Sequence, residues 1–108
     1  MNRETTTIYE MKADVLRAIA HPIRLAIVDY LADGEQCVCD IAVHVGAQRS
    51  NVSRHLAVML KAGVLDCRKD GLRVLYSLRT PCVSGFLTCV SSVLREQVRS
   101  QNELLKKI

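Results

Sequence analysis

Asp40-Ile41-Ala42-Val43-His44-Val45-Gly46-Ala47-Gln48-Arg49-Ser50-Asn51-Val52-Ser53-Arg54-His55-Leu56-Ala57-Val58-Met59-Leu60-Lys61-Ala62-Gly63 is the stretch that decides the fold. Two helical spacings meet in it. Ile41, Ala42 and Val45 fall on one side of a short helix over 40–45, which Gly46 ends. Val52, Leu56, Met59 and Leu60 recur at helical spacing over about 50–62, and Gly63 stands where a left-handed C-cap belongs. Two short helices joined by a tight turn make a helix-turn-helix. In DNA-binding proteins its second helix lies in the major groove and presents its first residues to the base edges.

The outward side of that second helix has the chemistry for such a contact. With the apolar stripe buried at about 100° per residue, Ser50, Arg54, Ala57 and Lys61 point away from the core. Asn51 and Ser53 flank them, and Gln48 and Arg49 stand at the helix start. Arginine bonds guanine bidentately, and asparagine or glutamine does so with adenine. Serine and arginine near a helix start also suit phosphate. An ordinary solvated helix face carries the same residue types, so the neighbouring segments have to decide.

They favour DNA. Val64–Arg68 and Leu72–Ser77 are β-prone runs on either side of Lys69-Asp70-Gly71, a hairpin signal. Arg68, Lys69 and Arg73 put basic charge near the tip of that hairpin, where a wing reaches phosphates or the minor groove. Toward the N-terminus, Ile8, Met11, Val15, Ala18 and Ile19 mark a helix over about 7–20, broken at His21-Pro22. A second helix over 23–32 buries Ile23, Ala26, Ile27, Tyr30 and Leu31. Residues 35–39 suit a brief strand. Beyond the hairpin, Pro81 opens a helix to about Leu105, with Val83, Phe86, Leu87, Val90, Val93, Leu94 and Val98 on its buried side. The order predicts one domain over 1–108, mostly α with a small β-hairpin wing: a winged helix-turn-helix, with the helix-turn-helix over about 39–62 and the wing over about 64–78.

Composition agrees. At 108 residues the chain has room for one domain, and 49% hydrophobic residues exclude a disordered chain. A domain this small gains by sharing a core with a partner. Fifteen basic against eleven acidic residues give +4, too mild to identify a partner without the placement above. No apolar run approaches the ~20 residues of a membrane span, and the N-terminus lacks a secretory pattern. A cytoplasmic location follows as the expectation, with no membrane partner, and there the five cysteines are reduced thiols.

Over about residues 10–95 the chain resembles the ArsR/SmtB family of metal- and metalloid-sensing repressors. The resemblance is carried by Ala20-His21-Pro22-Ile23-Arg24-Leu25, Glu35-Gln36-Cys37-Val38-Cys39-Asp40-Ile41, Asn51-Val52-Ser53-Arg54-His55-Leu56 and Lys61-Ala62-Gly63-Val64-Leu65, with Arg68-Lys69-Asp70-Gly71 and Tyr76-Ser77-Leu78 in the hairpin. It implies a homodimer formed through the first and last helices, about 7–20 and 81–105. It also implies a double-stranded operator as partner, an imperfect palindrome released when an inducer binds. Gln48 departs from the family, which has a small capping residue there. His21, His44 and His55 read as packing or hydrogen-bonding residues.

Cys37-Val38-Cys39 is the second informative feature. Thiolates favour soft ions, and a C-x-C in extended backbone can turn two sulfurs toward one ion, at a helix start that favours the thiolate. The resemblance implies trivalent arsenic or antimony held by three thiolates, or cadmium, lead or zinc. The third cysteine of many arsenic sensors is replaced here by Ala42, and Cys82 is the candidate to supply that thiolate. Cys89 reads as buried packing and Cys67 as structural. The last helix has no histidine, which argues against a zinc, nickel or cobalt site there. Two other readings stay open: a thiol redox or persulfide switch on the same DNA-binding fold, and a metal-buffering protein with a vestigial helix-turn-helix. No nucleophile–base set or paired carboxylates suggest an enzyme.

Overall fold

The computed structural model describes all residues, 1–108. The chain runs α1 (Arg3–Ile19), α2 (Pro22–Leu31), β1 (Gln36–Cys37), α3 (Val38–Val45), α4 (Arg49–Lys61), β2 (Leu65–Asp70), β3 (Arg73–Leu78) and α5 (Cys82–Leu105). This is the expected winged helix-turn-helix, with a third strand added to the wing sheet. No helix is long and apolar enough to cross a membrane.

Local chemistry sets the boundaries. α1 starts earlier than its apolar spacing predicts, because the Asn2 side chain accepts the Thr5 N–H at 2.8 Å and caps the first turn. At α2 the His21 ring does the same for the Ile23 N–H at 3.1 Å, with Pro22 as the first helical residue. Gly46 ends α3 in the left-handed conformation (φ 69), which only glycine adopts without strain, and this reverses the chain into α4. α4 has no side-chain cap: Gln48 stands at its N-cap without a hydrogen bond to the helix.

The three antiparallel strands lie in the order β1-β3-β2. β1 pairs Gln36 with Tyr76 and Cys37 with Leu75, so the stretch before α3 is stitched to the wing. β2 pairs with β3 from Leu65↔Leu78 to Asp70↔Arg73. The turn is therefore Gly71-Leu72, one residue later than the sequence suggests, with positive φ at Gly71 (φ 64) and at no non-glycine residue. Positive φ at only the first central residue fits a type II′ turn, whose twist matches the strands.

The core is aliphatic. Ile27, Val28, Ile41, Val52, Leu56, Met59 and Leu65 are its most buried side chains, so α2, α3, α4 and β2 close around one centre. Within α2, Val28 takes the inward place, while Ile23, Ala26 and Tyr30 are only half-buried. α5 departs most from expectation. None of its residues is buried, and of its apolar side only Val83 and Leu87 pack against the core. Phe86, Val90, Val93, Leu94 and Val98 remain exposed in the single chain, as do Ile8, Met11 and Val15 of α1.

Candidate nucleic-acid interface

α4 buries Val52, Leu56 and Met59 completely, which fixes the rotation of the helix about its axis. Gln48, Arg49, Ser50, Ser53, Arg54 and Lys61 are consequently exposed, and Asn51 is half-buried at the edge of the stripe. The Arg54 guanidinium donates to the Asn51 side-chain oxygen at 3.3 Å, a contact that holds the two side chains together on the outward face. α4 carries no acidic residue in its first turn, so the exposed N–H groups and Arg49 face solvent without a competing carboxylate. This face can take the edges of bases and the phosphates beside them.

In the wing, the basic residues differ in freedom. Arg68 lies in the middle of β2 opposite Leu75 and forks onto the Glu35 carboxylate, so it is engaged within the chain and does not stand at the tip. That pairing, which the sequence reading missed, is the main reason the Glu35 carboxyl titrates below its ordinary value; burial opposes it and the Arg68 charge adds to it. Lys69 and Arg73 flank the turn and are exposed. The Arg73 guanidinium is held more firmly charged, chiefly by the neighbouring Cys37 side chain, with Asp40 and Asp70 adding to it and burial opposing it. Leu72 projects fully into solvent at the tip.

The three candidate sulfurs do not come together. Cys37 is buried at the N-cap of α3. Cys39 lies within the first turn of that helix, not in the extended backbone expected, because the sheet pairing ends at Cys37 and the helix begins at Val38. Its exposed thiol lines a hollow it shares with Gln48 and Arg49, at the start of α4. Cys82 does follow the strand that neighbours Cys37, but β3 continues past that pairing to Leu78. The α5 start is thus carried to an apolar groove of about 380 Å³ against Lys12, Val15, Leu16 and Ile19 of α1. No three His, Cys, Asp or Glu side chains converge as a metal-holding group within the chain. Cys89 is an exposed thiol in the single chain, against the buried packing expected of it, and Cys67, read as structural, is exposed as well. The histidines do pack: His44 stacks on Tyr30 at 4.0 Å, and His55 accepts the Arg24 Nε–H at 3.0 Å.

A helix-turn-helix with an outward polar and basic second helix, beside a hairpin wing, defines a winged-helix DNA-binding regulator. Residues 21–66 match the bacterial regulatory protein family named for arsR. The chain is 30% identical over 70 residues to the arsenical resistance operon repressor of Staphylococcus xylosus, covering 65% of this chain and 67% of that one. Among solved structures, Rv0081 of Mycobacterium tuberculosis superposes with a TM-score of 0.77 at 30% identity, over 87% of this chain and 95% of that one. The homodimeric winged helix-turn-helix DNA-binding domain of Mb0332 from Mycobacterium bovis gives 0.80 at 27%, over 93% of each. The chain belongs to the ArsR/SmtB family of transcriptional repressors.

Proposed function

We propose that the protein is a homodimeric repressor that holds operator DNA with α4 and the wing and is released by a thiophilic inducer, trivalent arsenic or antimony foremost, with cadmium or lead as the alternative. The observation that carries the DNA reading is the outward face of α4, with Arg54 and Asn51 joined on it, beside Lys69 and Arg73 at the tip of the wing. Two copies have to present their α4 helices about 34 Å apart to reach adjacent major grooves. The exposed apolar residues of α1 and α5 are the surface through which they pair, in line with the homodimeric Mb0332 domain.

For the inducer, the support is the placement of the thiols and the arsenical-resistance relative. Cys37 joins the sheet to α3, and Cys39, in the first turn of α3, lines the hollow at the start of α4. The chain holds no ready three-sulfur site, so an inducer that binds both thiols must draw them together and distort the first turn of α3. α3 packs on α4, and a shift there moves the reading helix relative to its copy. Release follows because the inducer favours the distorted geometry over the DNA-bound one. Four of the five cysteines are exposed, which also supports a thiol-oxidation or persulfide switch as the second reading.

Titrating protein–operator complexes with arsenite, antimonite, cadmium, lead, peroxide and polysulfide tests both. Release by arsenite in the native protein, lost in Cys37→Ser and Cys39→Ser, is the expected result. Stoichiometric arsenite binding without loss of DNA affinity refutes the metalloid reading. An Arg54→Ala variant that holds DNA as tightly as the native protein refutes the DNA face itself.

A further inference from the structure

His21, Arg24, Asn51, Arg54 and His55 line a surface hollow of about 400 Å³ where the start of α2 meets α4. The hydrogen bonds within it leave it rich in donors. His21 Nδ1 accepts the Ile23 N–H at 3.1 Å, and His55 Nδ1 accepts the Arg24 Nε–H at 3.0 Å. A neutral imidazole that accepts at Nδ1 carries its proton on Nε2, so each ring retains one N–H to give. The rings lie 4.4 Å apart. Arg24 spends Nη1 on the Ala18 carbonyl at 3.5 Å and keeps Nη2. Neither Arg24 nor Arg54 belongs to any of the four ion pairs of the chain, and no carboxylate lines the hollow. Two guanidinium groups, two imidazole N–H groups and an amide thus surround a space with no anion of the protein's own. A tetrahedral anion is the complement of that donor set.

We infer that this hollow seats one phosphate of the DNA backbone, beside the groove that α4 reads. The inference rests on the proposed reading of α4, since Arg54 and Asn51 form both the rim of the hollow and part of the groove-facing side. That shared rim is why the diester is assigned to DNA and not to free phosphate. Arg24 and His55 make the inner wall, tying α4 to α2 and, through Ala18, to α1. A phosphate held there fixes the reading helix in register without itself reading sequence.

The electrostatics of His55 provide a reporter. Burial first, and then the charges of His21, Arg24 and Arg54, hold its imidazole below the ordinary value of 6.5. The other charged groups nearby, Asp14, Arg17 and Lys61, line the adjoining hollow on the far side of Arg24. An arriving phosphate offsets the cationic neighbours, so His55 takes up its proton at higher pH in the complex than in the free protein.

The decisive measurement is DNA affinity against KCl concentration for the full chain, on a random duplex and on the DNA upstream of its own gene. Arg24→Gln is expected to lower affinity roughly tenfold and to reduce the salt slope by about 0.9, the value for one phosphate. An unchanged slope, however large the loss of affinity, overturns the inference and leaves Arg24 as a packing residue between α1 and α4. Should Arg24→Gln fail to fold, NMR titration of His55 in the native protein decides. A midpoint raised by duplex supports the seat. An unmoved midpoint overturns it, and so does one moved by inorganic phosphate but not by duplex. If the native protein binds neither duplex, the reading of α4 fails. If it binds, Arg54→Ala weakens it and Arg24→Gln leaves the slope unchanged, only the phosphate seat fails.

Discussion

α4 and α5 carry the same kind of apolar spacing and meet opposite fates. In α4, Val52, Leu56 and Met59 are sealed against α2, α3 and β2. In α5, nearly twice as long at 24 residues against 13, no side chain is sealed, and Phe86, Val93 and Leu94 are each half or more exposed. Periodicity reports that a helix has an apolar side. It does not report whose surface covers it. The short helix is fixed by its own chain, which is what a reading helix needs if its outward residues are to meet bases in register. The long one runs about 36 Å at 1.5 Å per residue, with a stripe that its own chain leaves uncovered.

The contrast predicts different losses from similar substitutions. Leu56→Ala removes a fully buried side chain from α4 and should cost about 2–5 kcal/mol, read from urea melts, a large part of the stability of a domain this size. Val93→Asp changes a residue that the single chain leaves exposed. It should leave the helical content of the protomer intact while sedimentation shows monomers. Operator affinity should then fall on the order of 10²-fold, because the two half-sites are no longer held by one body. A Val93→Asp protein that stays dimeric breaks the comparison, since the α5 stripe would then have no role in assembly.

How far the sequence could be read follows the same division. The α4 stripe, the Gly46 break and the hairpin were legible because each is a local pattern within a few residues. The start of α1 was not, since it depends on a single capping side chain at Asn2 outside the apolar repeat. Cys39 falls outside its expected place because the short run 35–39 suits a brief strand, and only the pairing of Cys37 with Leu75 shows where the strand ends. The contacts that tie the candidate site together, Arg24 to His55 and Arg68 to Glu35, span 31 and 33 residues and leave no trace in any window of sequence. The thiols were legible as chemistry and not as geometry. Residue type identifies a soft donor, whereas the separation of Cys37, Cys39 and Cys82 is a property of where helices begin.

A titration sharpens the contrast at smaller amplitude. His55 ties α4 to Arg24 of α2, and its imidazole is held below 6.5 in the folded chain, chiefly by burial. Between that lowered value and 6.5 the unfolded chain binds the extra proton and the folded one does not. Stability therefore rises with pH across this window and is lost as pH falls through it. His55→Gln keeps an acceptor for Arg24 and removes the proton. Urea midpoints followed from about pH 8 to 5.5 should fall less steeply in the variant than in the native protein.

The smallest effect belongs to α5. Glu96 accepts from Arg99 one turn along the same helix, and this hydrogen bond holds its carboxyl below the ordinary 4.5. Such a depressed value stabilises the fold above 4.5 and is lost as pH falls through it, in principle like any paired carboxylate. Both side chains are well exposed, however, and both belong to one helix, so the pair joins nothing that folding brings together. Glu96→Gln should leave the urea midpoint at pH 7 unchanged within error, and its acid limb nearly superimposable on that of the native protein. A clear shift at pH 7 would mean that α5 is braced by charge within its own chain. The exposed stripe would then no longer be what governs its stability.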